Sequence, residues 1–122
     1  MSNERINLGK KGEDRSIEFL KGQGYKIMER NYRCSLGEID IVAKDKNVLC
    51  FVEVKTRKTE EYGLPEEAID WHKQRKLTKV ALTYLKEKKI YKQDLRFDVV
   101  SVYPDHIELI KDAFIVKTDY TY

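Results

Sequence analysis

The succession of patterns along the chain predicts an α/β domain: a mixed five-stranded sheet with a helix on each face. Three observations carry this reading. Residues 7–23 and 65–89 repeat apolar side chains at three- and four-residue steps, as amphipathic helices do. Between them, residues 37–43 (Gly-Glu-Ile-Asp-Ile-Val-Ala) and 48–57 (Val-Leu-Cys-Phe-Val-Glu-Val-Lys-Thr-Arg) are rich in β-branched and aromatic residues. The polar break Asp45-Lys46-Asn47 parts them, the pattern of a β-hairpin. The second run is apolar on both sides: Val48, Cys50, Val52 and Val54 point one way, Leu49 and Phe51 the other. Such a strand belongs in the middle of a covered sheet.

The elements follow in order. In the first helix Asn7 reads as an N-cap and Gly24 as the stop. Gly9, Glu13, Ser16, Ile17 and Leu20 share one face, and Gly9, Gly12 and Ser16 are small enough to permit close approach to the sheet. Glu13 is then either carried toward the sheet or left at the rim beside Arg15; the spacing fits both. Residues 25–33 read as a strand near an edge, and 34–36 as the loop into the hairpin. Residues 56–64 read as a polar loop directly after the charged end of the central strand, where substrate contacts are commonly carried and where plain mobility is the equal alternative. Pro65 suits the first turn of the second helix, with Glu66 and Glu67 at its positive end and an irregularity expected near Asp70 or Trp71. The stripe Ile69, Leu77, Val80, Ala81, Tyr84 and Leu85 runs to about Lys89, with Lys73 and Lys76 beside its N-terminal half. Residues 95–103 give a fourth strand, Pro104-Asp105 a turn, 106–110 a fifth strand, and 113–116 a cap. Residues 1–122 thus make one domain.

Bulk properties bound the function only loosely. The 122 residues are 41% hydrophobic and 37% charged, with 24 basic against 21 acidic residues and a net charge of +3. That balance hints at a nucleic-acid partner without the strongly basic footprint of a dedicated binder. Neither a secretory signal nor a long apolar run stands out, so the expectation is a cytoplasmic protein with no membrane contact. Cys34 and Cys50 read as two reduced, unpaired thiols, Cys50 buried in mid-strand.

The hairpin makes a sharper statement. With Lys46 and Asn47 as a two-residue turn, Asp45 pairs with Val48, Ala43 with Cys50, and Asp40 with Glu53. Side chains directly opposite stand about 5 Å apart at Cβ, and like charges there repel. Two carboxylates on a largely buried sheet call for something positive between them. A divalent cation meets that need, with Lys55 on the same face beside it. The alternative is an ion network in which Lys55 neutralises both acids. Glu38 shares the parity of Asp40, but as a strand start it is expected at the rim with Arg33.

Taken together, Gly12-Glu13, Gly37-Glu38-Ile39-Asp40, the run from Phe51 to Arg57 and Arg96-Phe97-Asp98-Val99-Val100 resemble the bacterial YraN-like proteins. These are a largely uncharacterised family related to archaeal Holliday junction resolvases and restriction endonucleases. The resemblance implies a restriction-endonuclease-like PD-(D/E)XK fold with an αβββαβ core. It implies a nuclease in which Asp40 and Glu53 bind Mg²⁺ or Mn²⁺, Glu13 assists as an extra helix acid, and Lys55 positions the attacking water. Ile39 stands where the family pattern has a proline before the acid. The partner implied is nucleic acid, DNA by preference and branched DNA by analogy. A junction resolvase needs two active sites, hence a symmetric homodimer. The competing reading is a nucleic-acid-binding module on the same fold without turnover.

Around the site, Arg30, Arg33, Arg57, Lys58, Lys73 and Lys76 are candidate phosphate contacts, each with the plain alternative of a solvated charge. Tyr62 and Trp71 are candidate stacking residues, though Trp71 on a helix is expected to pack inward. Asp98, two residues after Arg96, reads as one half of a structural ion pair. His72 and His106 are isolated and carry no metal expectation.

Overall fold

The computed structural model describes residues 3–57 and 70–114, with side chains from Gly9 onward. Helix α1 (Asn3–Gly22) precedes strands β1 (Lys26–Cys34), β2 (Gly37–Asp45) and β3 (Val48–Thr56). Helix α2 (Trp71–Glu87) then leads to β4 (Asp94–Val102) and β5 (Ile107–Ile110). The strands lie in sequence order, antiparallel except for β3 and β4, which run parallel. The long connection through α2 is what a parallel neighbour requires. The mixed five-stranded sheet with a helix on each face is as the patterns predict.

Alternation along β3 sorts the interior into two layers. Cys50 and Val52 pack under α1 with Ile17, Leu20, Ile41 and Val100. Leu49 and Phe51 pack under α2 with Leu77, Val80, Ala81, Tyr84 and Phe97. Fully burying one such side chain contributes roughly 1.5–3 kcal/mol, so these two layers hold both helices to the sheet. Phe51 meets Tyr84 edge-on at 5.8 Å between ring centroids, and Tyr84 meets Tyr32 in the same way at 5.0 Å. Both cysteines are free, Cys50 buried and Cys34 half-buried.

Several boundaries differ from the expectations. Helix α1 is already helical at Asn3, so Asn7 is inside it and is not its cap. Gly24 does mark the stop, with a φ of +94° that favours glycine. Cys34 pairs with Gly37 and belongs to β1, which shortens the expected three-residue loop to Ser35-Leu36. Helix α2 is described from Trp71, and the expected start at Pro65 lies outside the described residues. Asp70 is extended there, and its carboxylate accepts the Lys73 N–H at 2.9 Å as an N-cap, so the irregularity expected near Asp70 is a helix start. Residues 58–69, including Lys58, Tyr62 and Pro65, and residues 115–122 lie outside the described residues.

Arg96 and Asp98 form the structural pair expected of them. The Arg96 Nε donates to Asp98 Oδ1 at 2.8 Å, and Asp98 also accepts from the Tyr25 hydroxyl at 2.8 Å and the Asp112 N–H at 2.9 Å. Asp45 takes a second bond from Arg96 at 2.8 Å. Both Asp98 oxygens and the Asp45 Oδ2 are occupied, which is how such a network limits its desolvation penalty. No helix among the described residues is long and apolar enough to cross a membrane.

Candidate acid and lysine site

The hairpin register holds where it matters. Asp45 pairs with Val48, Ala43 with Cys50 and Ile41 with Val52, around a two-residue turn in which Lys46 takes a φ of 57°. One step further Asp40 and Glu53 face each other, but the backbone ladder has stopped at Ile41. In its place the Asp40 Oδ2 accepts the Val54 N–H at 2.8 Å. A carboxylate therefore fills the gap between two parting strands, fixed in place by the neighbouring backbone. Burial, then the charge of Glu53, pushes the Asp40 carboxyl up to about 7, against the pull of the Val54 N–H.

Glu53 is almost completely buried near the end of β3. Lys73 of α2 reaches it, Nζ to Oε1 at 2.8 Å, while Lys55 stands at 3.8 Å from the same oxygen. The two ammonium groups respond differently. Burial and the neighbouring Lys73 charge lower Lys55, with Glu53 and Asp40 pulling the other way. Burial also works against Lys73, but its hydrogen bond to Glu53 outweighs it and holds Lys73 above the ordinary lysine range. Lys73 is thus the close counter-charge of Glu53 and Lys55 the more distant one.

Helix α1 supplies the third acid. A Cβ on Gly12 would run into the Thr56 hydroxyl, so the glycine lets this turn of the helix sit directly on the end of β3. A Cβ added at Gly9 would meet nothing within 4 Å, so Gly9 has no such role, contrary to expectation. The next residue, Glu13, is turned inward rather than to Arg15, which instead donates to the Tyr103 carbonyl at 2.8 Å. Its Oε1 is buried without a hydrogen-bond partner, the nearest cation being Arg30 at 3.9 Å. Glu13 is close enough to raise the pKa of Asp40. Among the described residues, no three His, Cys, Asp or Glu side chains form a group able to hold an ion by themselves. Glu13 accordingly stands beside the Asp40–Glu53 pair without closing a three-carboxylate cage.

The oxygens present suit a hard dication. Mg²⁺ and Mn²⁺ need only one or two protein carboxylates when water and phosphate complete the shell. An acid held up to about 7 and a buried, unpartnered carboxylate oxygen both mark a place short of positive charge.

The other candidates divide. Arg30 is engaged by Asp14 at 2.7 Å and Arg33 by Glu38 at 2.9 Å, the rim pairing expected of Glu38. Arg57 donates its backbone N–H to Val102, but its Nε is buried without a partner beside Lys11 and Arg15, in a cleft of about 150 Å³. Lys76 is drawn across Gly37, where an added Cβ would lie 2.8 Å from the lysine Cε. Trp71, expected to pack inward, is 51% exposed. The role of Lys73 is what sequence spacing misses: it reads as a candidate phosphate contact around the site, and only the docking of α2 on β3 reveals that it reaches Glu53.

Fold and site together define a small α/β domain with a cluster of acids and lysines where two central strands part. The chain belongs to the uncharacterised protein family UPF0102, whose pattern it matches over residues 12–102, in keeping with its likeness to the YraN-like proteins. It is 50% identical over 117 residues to a UPF0102 protein of Geotalea daltonii, covering 92% of each chain. It is 51% identical over 116 residues to one from Desulfosudis oleivorans, covering 93% of this chain and 94% of that one. Among solved structures, the crystal structure of SSO0001 aligns with 86% of this chain and half of its own, at 20% identity and a TM-score of 0.44.

Proposed function

We propose that this protein is a metal-dependent nuclease of the PD-(D/E)XK type, acting on phosphodiester bonds in DNA. The observation that carries the reading is the convergence of Asp40, Glu53 and Lys55 at one end of the sheet, with Asp40 held up to about 7 by burial and Glu53. Asp40 and Glu53 would hold Mg²⁺ or Mn²⁺, with the orphaned Glu13 oxygen at hand. When bound, the ion supplies charge neutralisation at the phosphate and an acidified water. Lys55, its Nζ 3.8 Å from Glu53 Oε1, orients the attacking water and as an ammonium offsets charge developing on the phosphoryl oxygens. Lys73 holds Glu53 in place through the 2.8 Å contact of its Nζ with Oε1. Activity on branched DNA, and the symmetric dimer it requires, rests on family analogy.

One observation favours a second reading, a nucleic-acid-binding module without turnover: Lys73 pairs with Glu53 at 2.8 Å and so offsets its charge from within the protein. A single experiment separates the two. The protein is incubated with linear, flap and four-way-junction DNA in Mn²⁺ or EDTA, beside Glu53→Ala and Lys55→Ala. The nuclease reading expects metal-dependent cutting that each substitution reduces by about 100-fold or more. Binding that survives EDTA, weakens steeply with salt and is never followed by cutting would establish the second reading instead.

A further inference from the structure

We propose that the outer face of α2 is a docking site for unpaired nucleobases, with Trp71 as the stacking platform. Trp71, Arg75 and Lys79 recur every four residues and so form one stripe, on a different side of the helix from Lys73, which reaches Glu53. With Leu36, His72 and Lys76 they line a cleft of about 370 Å³, a volume typical of ligand sites. The Arg75 guanidinium lies over the Trp71 ring, 4.9 Å from its centroid. Even so, half of the side chain stays exposed.

The chemistry of the lining selects the occupant. No carboxylate lines the cleft, and among the described residues none of Arg75, Lys76 and Lys79 is paired with an acid. Three cations bracketing an exposed indole suit a ligand that alternates negative charge with flat aromatic faces, which is a single nucleic-acid strand. A duplex hides its base faces in the stack and offers only phosphates, which cations alone would serve. The cleft is also near the acids: Leu36 closes the turn before Gly37, and Lys76 crosses Gly37 three residues ahead of Asp40 on β2. A strand stacked on Trp71 would therefore lie beside the acid and lysine site. The proposal deepens the nuclease reading by adding an unpaired segment to the substrate, and it rests on that reading for its ligand class.

Trp71 is the chain's single tryptophan, so its emission reports on this cleft alone. In EDTA, with no cutting possible, an unstructured oligonucleotide should quench that emission, and a blunt duplex of the same length should leave it nearly unchanged. By anisotropy of labelled strand, Trp71→Ala should weaken binding at least about fivefold, the scale of losing one base–aromatic stack while the cations remain. Trp71→Phe should restore most of the affinity and Trp71→Leu should not, which separates stacking from mere apolar contact. Unchanged emission with equal affinity of Trp71→Ala would overturn the proposal, as would equal quenching by duplex or no binding at all. Quenching without cutting in Mn²⁺ would uphold the platform and end the nuclease reading.

Discussion

Asp40 shows how one side chain can be held against its own chemistry. Its oxygen takes a backbone N–H that a strand partner would otherwise use, while burial and Glu53 disfavour its charge. An acid whose folded-state pKa rises from 3.8 to about 7 binds more protons folded than unfolded across that window. Its contribution to stability is complete below pH ~4 and is lost as the pH climbs through about 7. Replacing Asp40 by Asn keeps an oxygen acceptor for the Val54 N–H and removes the charge. In EDTA at pH 8, Asp40→Asn should be more stable than the wild type by about 1–3 kcal/mol, a range reduced for partial exposure and coupling to Glu53. The advantage should shrink steadily toward pH 4, measured by urea unfolding across that range. A pH-independent difference would mean that the site does not strain this carboxylate. Any such gain would come at the expense of activity, the usual trade at a functional position.

At the scale of elements, helix α1 is positioned by a single missing Cβ. Gly9 and Gly12 belong to the same helix and look alike in the sequence, but only Gly12 rests on β3, against the Thr56 hydroxyl. Gly9→Ala should stabilise the fold by about 1 kcal/mol through helix propensity. Gly12→Ala should lower it by about 1–2 kcal/mol, because the clash with a stiff β-branched side chain outweighs the same gain. Thermal melts of the two variants should move in opposite directions; movement in the same direction would dismiss the close approach. This contrast marks what the sequence could convey. Period and turn chemistry made β2, β3 and their register legible, since a two-residue turn at Lys46-Asn47 leaves no freedom in pairing. Helix ends were less legible. Asn7 resembles a cap, yet the helix continues through it to Asn3, while the irregularity expected near Asp70 or Trp71 is the N-cap of α2, a detail that the apolar stripe alone does not carry. Periodicity records which face is apolar, whereas ends are set by which backbone groups find partners.

For the whole molecule, the site is where four elements meet: α1 through Glu13, β2 through Asp40, β3 through Glu53 and Lys55, and α2 through Lys73. Asp40, Glu53 and Lys55 could be brought together on paper because one hairpin carries them. Lys73 lies 20 residues beyond Glu53 on a helix packed by Leu77 and Val80, and its reach depends on a docking angle that no local pattern encodes. On the proposed nuclease reading, that contact makes stability and metal binding competitors. Without an ion, the 2.8 Å pair from Lys73 to Glu53 ties α2 to β3 at a largely buried acid, with Lys55 at 3.8 Å as a weaker substitute. An ion at Glu53 must share or displace that ammonium. In EDTA, Lys73→Met should therefore lose about 1–2 kcal/mol, less than for a fully buried pair because Lys73 is partly exposed and Lys55 remains. The same variant should bind Mn²⁺ about five- to tenfold more tightly, having no ammonium to move. Saturating Mn²⁺ at about 100 times its Kd adds ~2.7 kcal/mol to a fold that binds it, so a shared ion concentration should raise the Tm of Lys73→Met by more than that of the wild type. Calorimetric titration with Mn²⁺ and thermal melts with and without it read the two halves separately. Equal Mn²⁺ affinities in the two proteins would mean that Lys73 and the ion do not compete for Glu53.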